Sequence, residues 1–138
     1  MTKSFAALDL THGLALFNRA RFFDAHEALE DVWRESPHGT PLRRHLQGLV
    51  QLAVAFHHES RDNFIGARSV LDRAMRNLVG AEDSFPFLNL DRLRARLADW
   101  QHHLADCAQT NDEKTNRRAK RPARPRITRR YPAARKSP

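Results

Sequence analysis

The sequence predicts an all-α fold: a compact antiparallel bundle of about five helices with a disordered basic C-terminal tail. Three observations lead there. Apolar residues recur at helical spacing in five stretches between Leu8 and Leu104, no stretch alternates at strand period, and the apolar pattern stops after Thr110. The connections are short, as between antiparallel neighbours in a bundle.

Leu8 to Ala20 reads as the first helix, with Leu8, Ala15, Leu16 and Phe17 toward the core and Gly13 weakening it. Asn18 to Arg21 make a tight connection. In the second helix, Phe22 to Glu35, the residues Phe22, His26, Leu29 and Trp33 recur at i, i+4, i+7 and i+11, with Ala25 and Val32 alongside. Asp24 complements the dipole of its first turn. Ser36 to Pro41 is a loop by composition, with Thr40 as cap of the third helix and Pro41 at its first position.

Leu42 to Glu59, LRRHLQGLVQLAVAFHHE, is the longest Pro-free apolar run and the centre of the bundle. Leu46, Leu49, Val50, Ala53, Phe56 and His57 share one broad face that Leu52 and Val54 widen, so neighbours must cover it on several sides. Gln47, Gln51 and His58 form a separate stripe, and Gly48 allows close approach of another helix. Arg61-Asp62-Asn63 turns the chain into a fourth helix, Phe64 to Val79. Its buried stripe is Phe64, Ala67, Val70 or Leu71, Ala74 or Met75, and Leu78, with Gly80 as its stop. Pro86 prevents one helix over 81–89, whose Phe85, Phe87 and Leu88 plug the bundle end. Asp91 caps a fifth helix through Leu104, with Leu93, Leu97, Trp100 and Leu104 inward.

Charge divides the chain in two. Residues 1–113 hold 13 Lys and Arg and all 16 Asp and Glu, a net of −3, whereas residues 114–138 hold 11 Lys and Arg without an acid. The division expected is a helical domain over 1–110 and an Arg/Pro-rich tail over 111–138, too poor in apolar groups to order itself. Cys107 is the only cysteine, so no internal disulfide forms. The N-terminus lacks the apolar run of a signal peptide, and no stretch is long enough to span a bilayer. A cytoplasmic protein without a membrane partner is the expectation.

Few residues suggest chemistry. His26, Glu30 and His57 share an inward phase on two helices expected to be neighbours, with Glu27 nearer the rim. Imidazole and carboxylate from facing helices can bind a divalent metal. His26-Glu27-Ala28-Leu29-Glu30 also looks like the HExxH helix, but has Glu30 where the second histidine belongs. The alternative is a buried hydrogen-bonded network of the same residues with Gln47 or Gln51. No Gly-rich phosphate loop and no nucleophile motif is present. In the tail, Arg117, Arg118, Lys120, Arg121, Arg124, Arg126, Arg129, Arg130, Arg135 and Lys136 suit a sequence-independent contact with nucleic acid or another polyanion. Tyr131 alone could stack on a base.

FNRARFFDAHEALEDVW, LQGLVQLAVAFHH, R-D-N-x-x-G-A and the L-x-L-D before the last helix resemble DUF309, a small bacterial and archaeal helical domain of unknown function. The resemblance spans about Phe17 to Leu97. It implies an all-α fold and maps the family's recurring polar positions to His26, Glu27, Glu30, Trp33, Gln47, Gly48 and His57. It implies no substrate. The expected function is a non-catalytic helical module with an unidentified protein partner and a polyanion-binding tail. The alternative is a metal-binding or hydrolase-like domain using His26, Glu30 and His57.

Overall fold

In the computed structural model, which describes residues 10–109 and 121–130, helical periodicity becomes five α-helices. They are α1 (Leu10–Asn18), α2 (Phe22–Arg34), α3 (Pro41–Ser60), α4 (Phe64–Asn77) and α5 (Leu90–Gln109). Each packs on the next in chain order, as short connections require. Leu8 lies outside the described residues.

Helix α3 is the centre because its apolar residues go almost all the way round. Leu46, Leu49, Leu52, Ala53 and Phe56 are all at most 2% exposed. Its start follows the capping rule: the Thr40 hydroxyl accepts the Arg43 N–H at 3.2 Å, and Pro41 occupies the first turn. Glycines then set how closely its neighbours approach. A Cβ on Gly48 would stand 2.9 Å from the Leu78 side chain, and one on Gly13 2.6 Å from that of Leu29. Gly13 thus costs helix propensity and gains the close α1–α2 contact.

Aromatic rings lock the layers together. Phe56 of α3 meets Phe17 of α1 at 6.1 Å, Phe22 of α2 at 5.8 Å and Trp100 of α5 at 5.1 Å. Two of these pairs are edge-to-face, an arrangement that the ring quadrupoles favour.

The R-D-N turn proves to be a helix start. Asp62 adopts φ 61°, which Asp tolerates better than most residues, and the Asn63 carboxamide accepts the Gly66 N–H at 3.0 Å. That carboxamide folds so tightly over position 66 that a Cβ there would lie 2.5 Å from Asn63 Nδ2. On α4 the open alternatives resolve to Leu71 and Ala74, both fully buried, with Val70 and Met75 half-buried. The α5 stripe of Leu93, Leu97, Trp100 and Leu104 is buried as expected. Its cap is Asn89, which accepts the Arg92 N–H at 3.1 Å, rather than Asp91.

Two further expectations change. Trp33 reads as core at i+11 from Phe22 but is only half-buried; the Arg43 guanidinium covers its ring at 4.2 Å. The second concerns the segment expected to be a disordered tail. Within it, residues 121–130 cross the bundle as a strap, while 110–120 and 131–138 lie outside the described residues. The Asn18 side chain grips Ile127 from both sides, accepting its N–H at 2.8 Å and donating to its carbonyl at 3.0 Å. Trp100 Nε1 donates to the Ala123 carbonyl at 2.9 Å, Asn89 N–H to Thr128, and Arg130 N–H to Phe87, both at 2.8 Å. Ile127 is 3% exposed. Composition missed this because long-range hydrogen bonds, not apolar residues, supply most of the anchors.

Leu49→Ala is expected to lower stability by about 2–5 kcal/mol through lost transfer energy and a residual cavity. An unchanged urea midpoint would show that α3 is not the buried centre.

Candidate functional site

Helices α2 and α3 bring part of the expected polar cluster together, at the surface. His26 Nε2 stands 3.7 Å from Glu30 Oε1, with side chains 26% and 30% exposed. The His26 and His57 rings both lie against Phe23, at 6.1 and 5.7 Å between centroids, and Phe23 is itself 52% exposed. No hydrogen bond or ring contact joins His26 to His57. Glu30 also pairs with Arg34 at 3.3 Å. Glu27 and Gln47 are exposed, and Gln51 accepts from Asn77 at 2.8 Å.

The burial expected for this network is therefore corrected. Helix α2 buries only the stripe of Phe22, Ala25 and Leu29. His26 sits at the edge of that stripe, and Glu30 is farther round. Among the described residues, no three His, Cys, Asp or Glu are grouped so as to hold a metal ion.

The buried histidines are others. His45 is 1% exposed, with Nδ1 2.6 Å from the Ser84 hydroxyl and Nε2 3.2 Å from the Val79 carbonyl. A neutral ring with its proton on Nε2 satisfies both: Nε2–H donates to Val79, and Nδ1 accepts from Ser84. Burial, and then the Arg44 charge, push its pKa below 6.5. Sequence reasoning passed over it, although His45, Leu49, Leu52 and Phe56 keep the i, i+4, i+7, i+11 spacing that singled out His26. His103 is 9% exposed, and its Nε2 lies 3.5 Å from Cys107 Sγ. Burial and the Arg121 charge lower its pKa as well. Arg94 binds Glu82 through both carboxylate oxygens and holds that carboxyl down at about 2, which fastens the 81–84 turn to α5.

The strap carries five of the expected tail cations. Arg121, Arg124, Arg126, Arg129 and Arg130 are exposed, and Arg121 pairs with the nearly buried Glu59 at 3.5 Å. Arg117, Arg118, Lys120, Arg135 and Lys136, with Tyr131, lie outside the described residues. Arg92, Arg96 and Asp99 of α5 face Arg124, Arg126 and Thr128 across a cleft of about 270 Å³. The sequence reading missed Arg92 and Arg96, whose i, i+4 spacing on the outer face of α5 is visible only once the strap is seen beside them.

Residues 10–70 match the family model DUF309, described as a domain of unknown function. The "Uncharacterized protein YpuF" of Bacillus subtilis (strain 168) is 36% identical over 73 residues, which cover 53% of this chain and 41% of that protein. An "Uncharacterized protein" of Aquifex aeolicus (strain VF5) is 29% identical over 83 residues, covering 60% of this chain and 25% of that protein. The match thus spans less than half the length of either relative. The family resemblance read from the motifs holds over residues 10–70, the L-x-L-D at 88–91 lies beyond the match, and the R-D-N-x-x-G part has a structural cause in the α4 cap.

Both buried histidines have folded-state pKa values below 6.5, so the unfolded chain takes up protons there that the native state refuses. Stability is full above that pH, declines as pH falls through it, and levels off below the lowered folded values. Urea midpoints should therefore fall between about pH 7.5 and about pH 5. In His45→Gln/His103→Gln that fall should flatten, whatever the midpoint at the upper end. An undiminished slope would assign the acid sensitivity elsewhere.

Proposed function

With residues 10–70 matching the DUF309 family model, we propose that the protein is a non-catalytic helical module that contacts nucleic acid without sequence preference through its basic C-terminal segment. The observation that carries this reading is the state of the strap arginines. Arg124, Arg126, Arg129 and Arg130 are exposed and form no ion pair among the described residues. Their charges are therefore available to an external anion. Guanidinium groups suit phosphate because their planar forks donate two parallel hydrogen bonds. The rest of the basic segment, Arg117, Arg118, Lys120, Arg135 and Lys136, adds to the same field.

A metal-dependent activity finds less support. His26 and Glu30 are neighbours, but Glu30 is shared with Arg34, and His57 approaches Phe23 rather than the pair. No helix among the described residues is long and apolar enough to cross a membrane, and the reading places the module in the cytoplasm with its single thiol reduced.

Full-length protein should bind labelled duplex DNA weakly, with affinity falling steeply with salt at a log–log slope near −0.9 per neutralised phosphate. Replacing these tail cations by Gln, and leaving Arg121 with its Glu59 partner, should abolish binding and keep the urea midpoint in place. Equal binding by both proteins would move any affinity to the helical domain.

A further inference from the structure

We infer that α5 and the docked strap together form one composite groove for a nucleic-acid backbone, with Arg92 and Arg96 supplying one wall and Arg124 and Arg126 the other. This rests on the nucleic-acid reading above and goes beyond it. The contact becomes a built surface that needs the folded domain, rather than a property of a basic tail.

The strap backbone explains why its arginines face outward together. Pro125 and Ile127 turn into the bundle and Arg124 and Arg126 turn out, an alternation of period two. Thr128 continues the outer row and also lines the cleft. The anchors are backbone and side-chain amide bonds made by Asn18, Trp100, Asn89 and Phe87, so no guanidinium is used to hold the strap at these positions. On α5, Arg92 and Arg96 are one turn apart and present the same face. Two rows of cations then oppose each other across about 270 Å³.

The charge balance fits a polyanion. Among the described residues Asp99 is the only acid lining this cleft, and it pairs with Arg96 at 3.4 Å. Arg92, Arg124 and Arg126 have no ion pair among the described residues. Arg92 and Thr128 also border a second cleft of about 560 Å³, which Arg129 and Arg130 join. The acids of that cleft, Glu82 and Asp91, both pair with Arg94. The cationic surface is therefore continuous past a single phosphate, which favours a linear polyanion over a free ion. Among the described residues no aromatic side chain lines either cleft, so the surface they form suits backbone phosphate rather than stacked bases. Among the described residues the exposed large apolar side chains, Phe23, Ile65 and Val79, line neither cleft, so this described surface lacks the apolar insertion that a lipid interface uses.

The test uses full-length protein, a labelled mixed-sequence duplex DNA and anisotropy titrations at several salt concentrations. Arg92→Gln/Arg96→Gln is expected to weaken binding about tenfold and to reduce the salt slope by about one for each phosphate no longer neutralised. Arg124→Gln/Arg126→Gln should do the same. Asn18→Ala/Ile127→Ser keeps every cation but frees the strap, which a change in Trp100 fluorescence reports, and it should weaken binding to a similar extent. If it fails to fold, the substitutions at exposed Arg92 and Arg96 decide alone.

Wild-type affinity in Arg92→Gln/Arg96→Gln would overturn the composite groove. If Arg124→Gln/Arg126→Gln then still weakens binding, the tail acts by itself and the broader reading survives. No DNA binding by wild type would remove the broader reading and the groove together. Tighter binding to phosphatidylserine vesicles than to DNA, abolished in the same variants, would overturn the nucleic-acid assignment in favour of a lipid headgroup.

Discussion

The Phe56 ring is the contact on which the arrangement of the bundle turns. It faces Phe17, Phe22 and Trp100 at 6.1, 5.8 and 5.1 Å, so one side chain of α3 fixes the placement of α1, α2 and α5. Such a junction tolerates little change in spacing, because interiors are packed at crystal-like density. The glycines make the spacing possible: Gly13 admits Leu29, and Gly48 admits Leu78. Helix α4 closes the remaining side of α3 through Leu71 and Ala74, both fully buried. The central helix can be apolar nearly all round because each of its sides has a partner.

The strap is tied to that same junction. Asn18 follows Phe17 directly and grips Ile127, and Trp100, edge-on to Phe56, donates its indole N–H to Ala123. A buried Trp N–H left without an acceptor would be costly, so the strap carbonyl satisfies a need that the core creates. The orientation of Arg124 and Arg126 thus traces back through Ile127 and Asn18 to the packing of α1 on α3.

The helices were legible because burial follows a period that sequence displays. The Thr40–Pro41 start, the Leu93 to Leu104 stripe and the Gly80 stop, at φ 80°, were all readable from residue type and spacing. Spacing alone misjudged the edge of a stripe. His26 and Trp33 keep the inward period of Phe22 and Leu29, yet α2 is covered on one side only, and both end half-buried. His45 carried the same signal on a helix covered all round and was overlooked. The strap was illegible for a different reason: Ile127 and Asn18 are 109 positions apart, and nothing local in an Arg/Pro-rich segment announces a partner that remote.

Charge supplies the last step. A domain of net −3 followed by a segment of +11 suggests that the segment docks by pairing its cations with domain carboxylates. It does so only once among the described residues, at Arg121 and Glu59. Several other carboxylates near the surface are occupied by the domain's own arginines: Asp24 by Arg21, Glu30 by Arg34, Glu82 by Arg94, Asp99 by Arg96. Exposed pairs of this kind add little stability, but each lowers the field available to a distant cation. Docking therefore falls mainly to hydrogen bonds on the strap's backbone and to Ile127, and the strap keeps most of its positive charge after it has docked. A segment held by charge would have given up its affinity for an external polyanion on docking. One held by hydrogen bonds and a buried isoleucine gives up only the Arg121 charge, to Glu59.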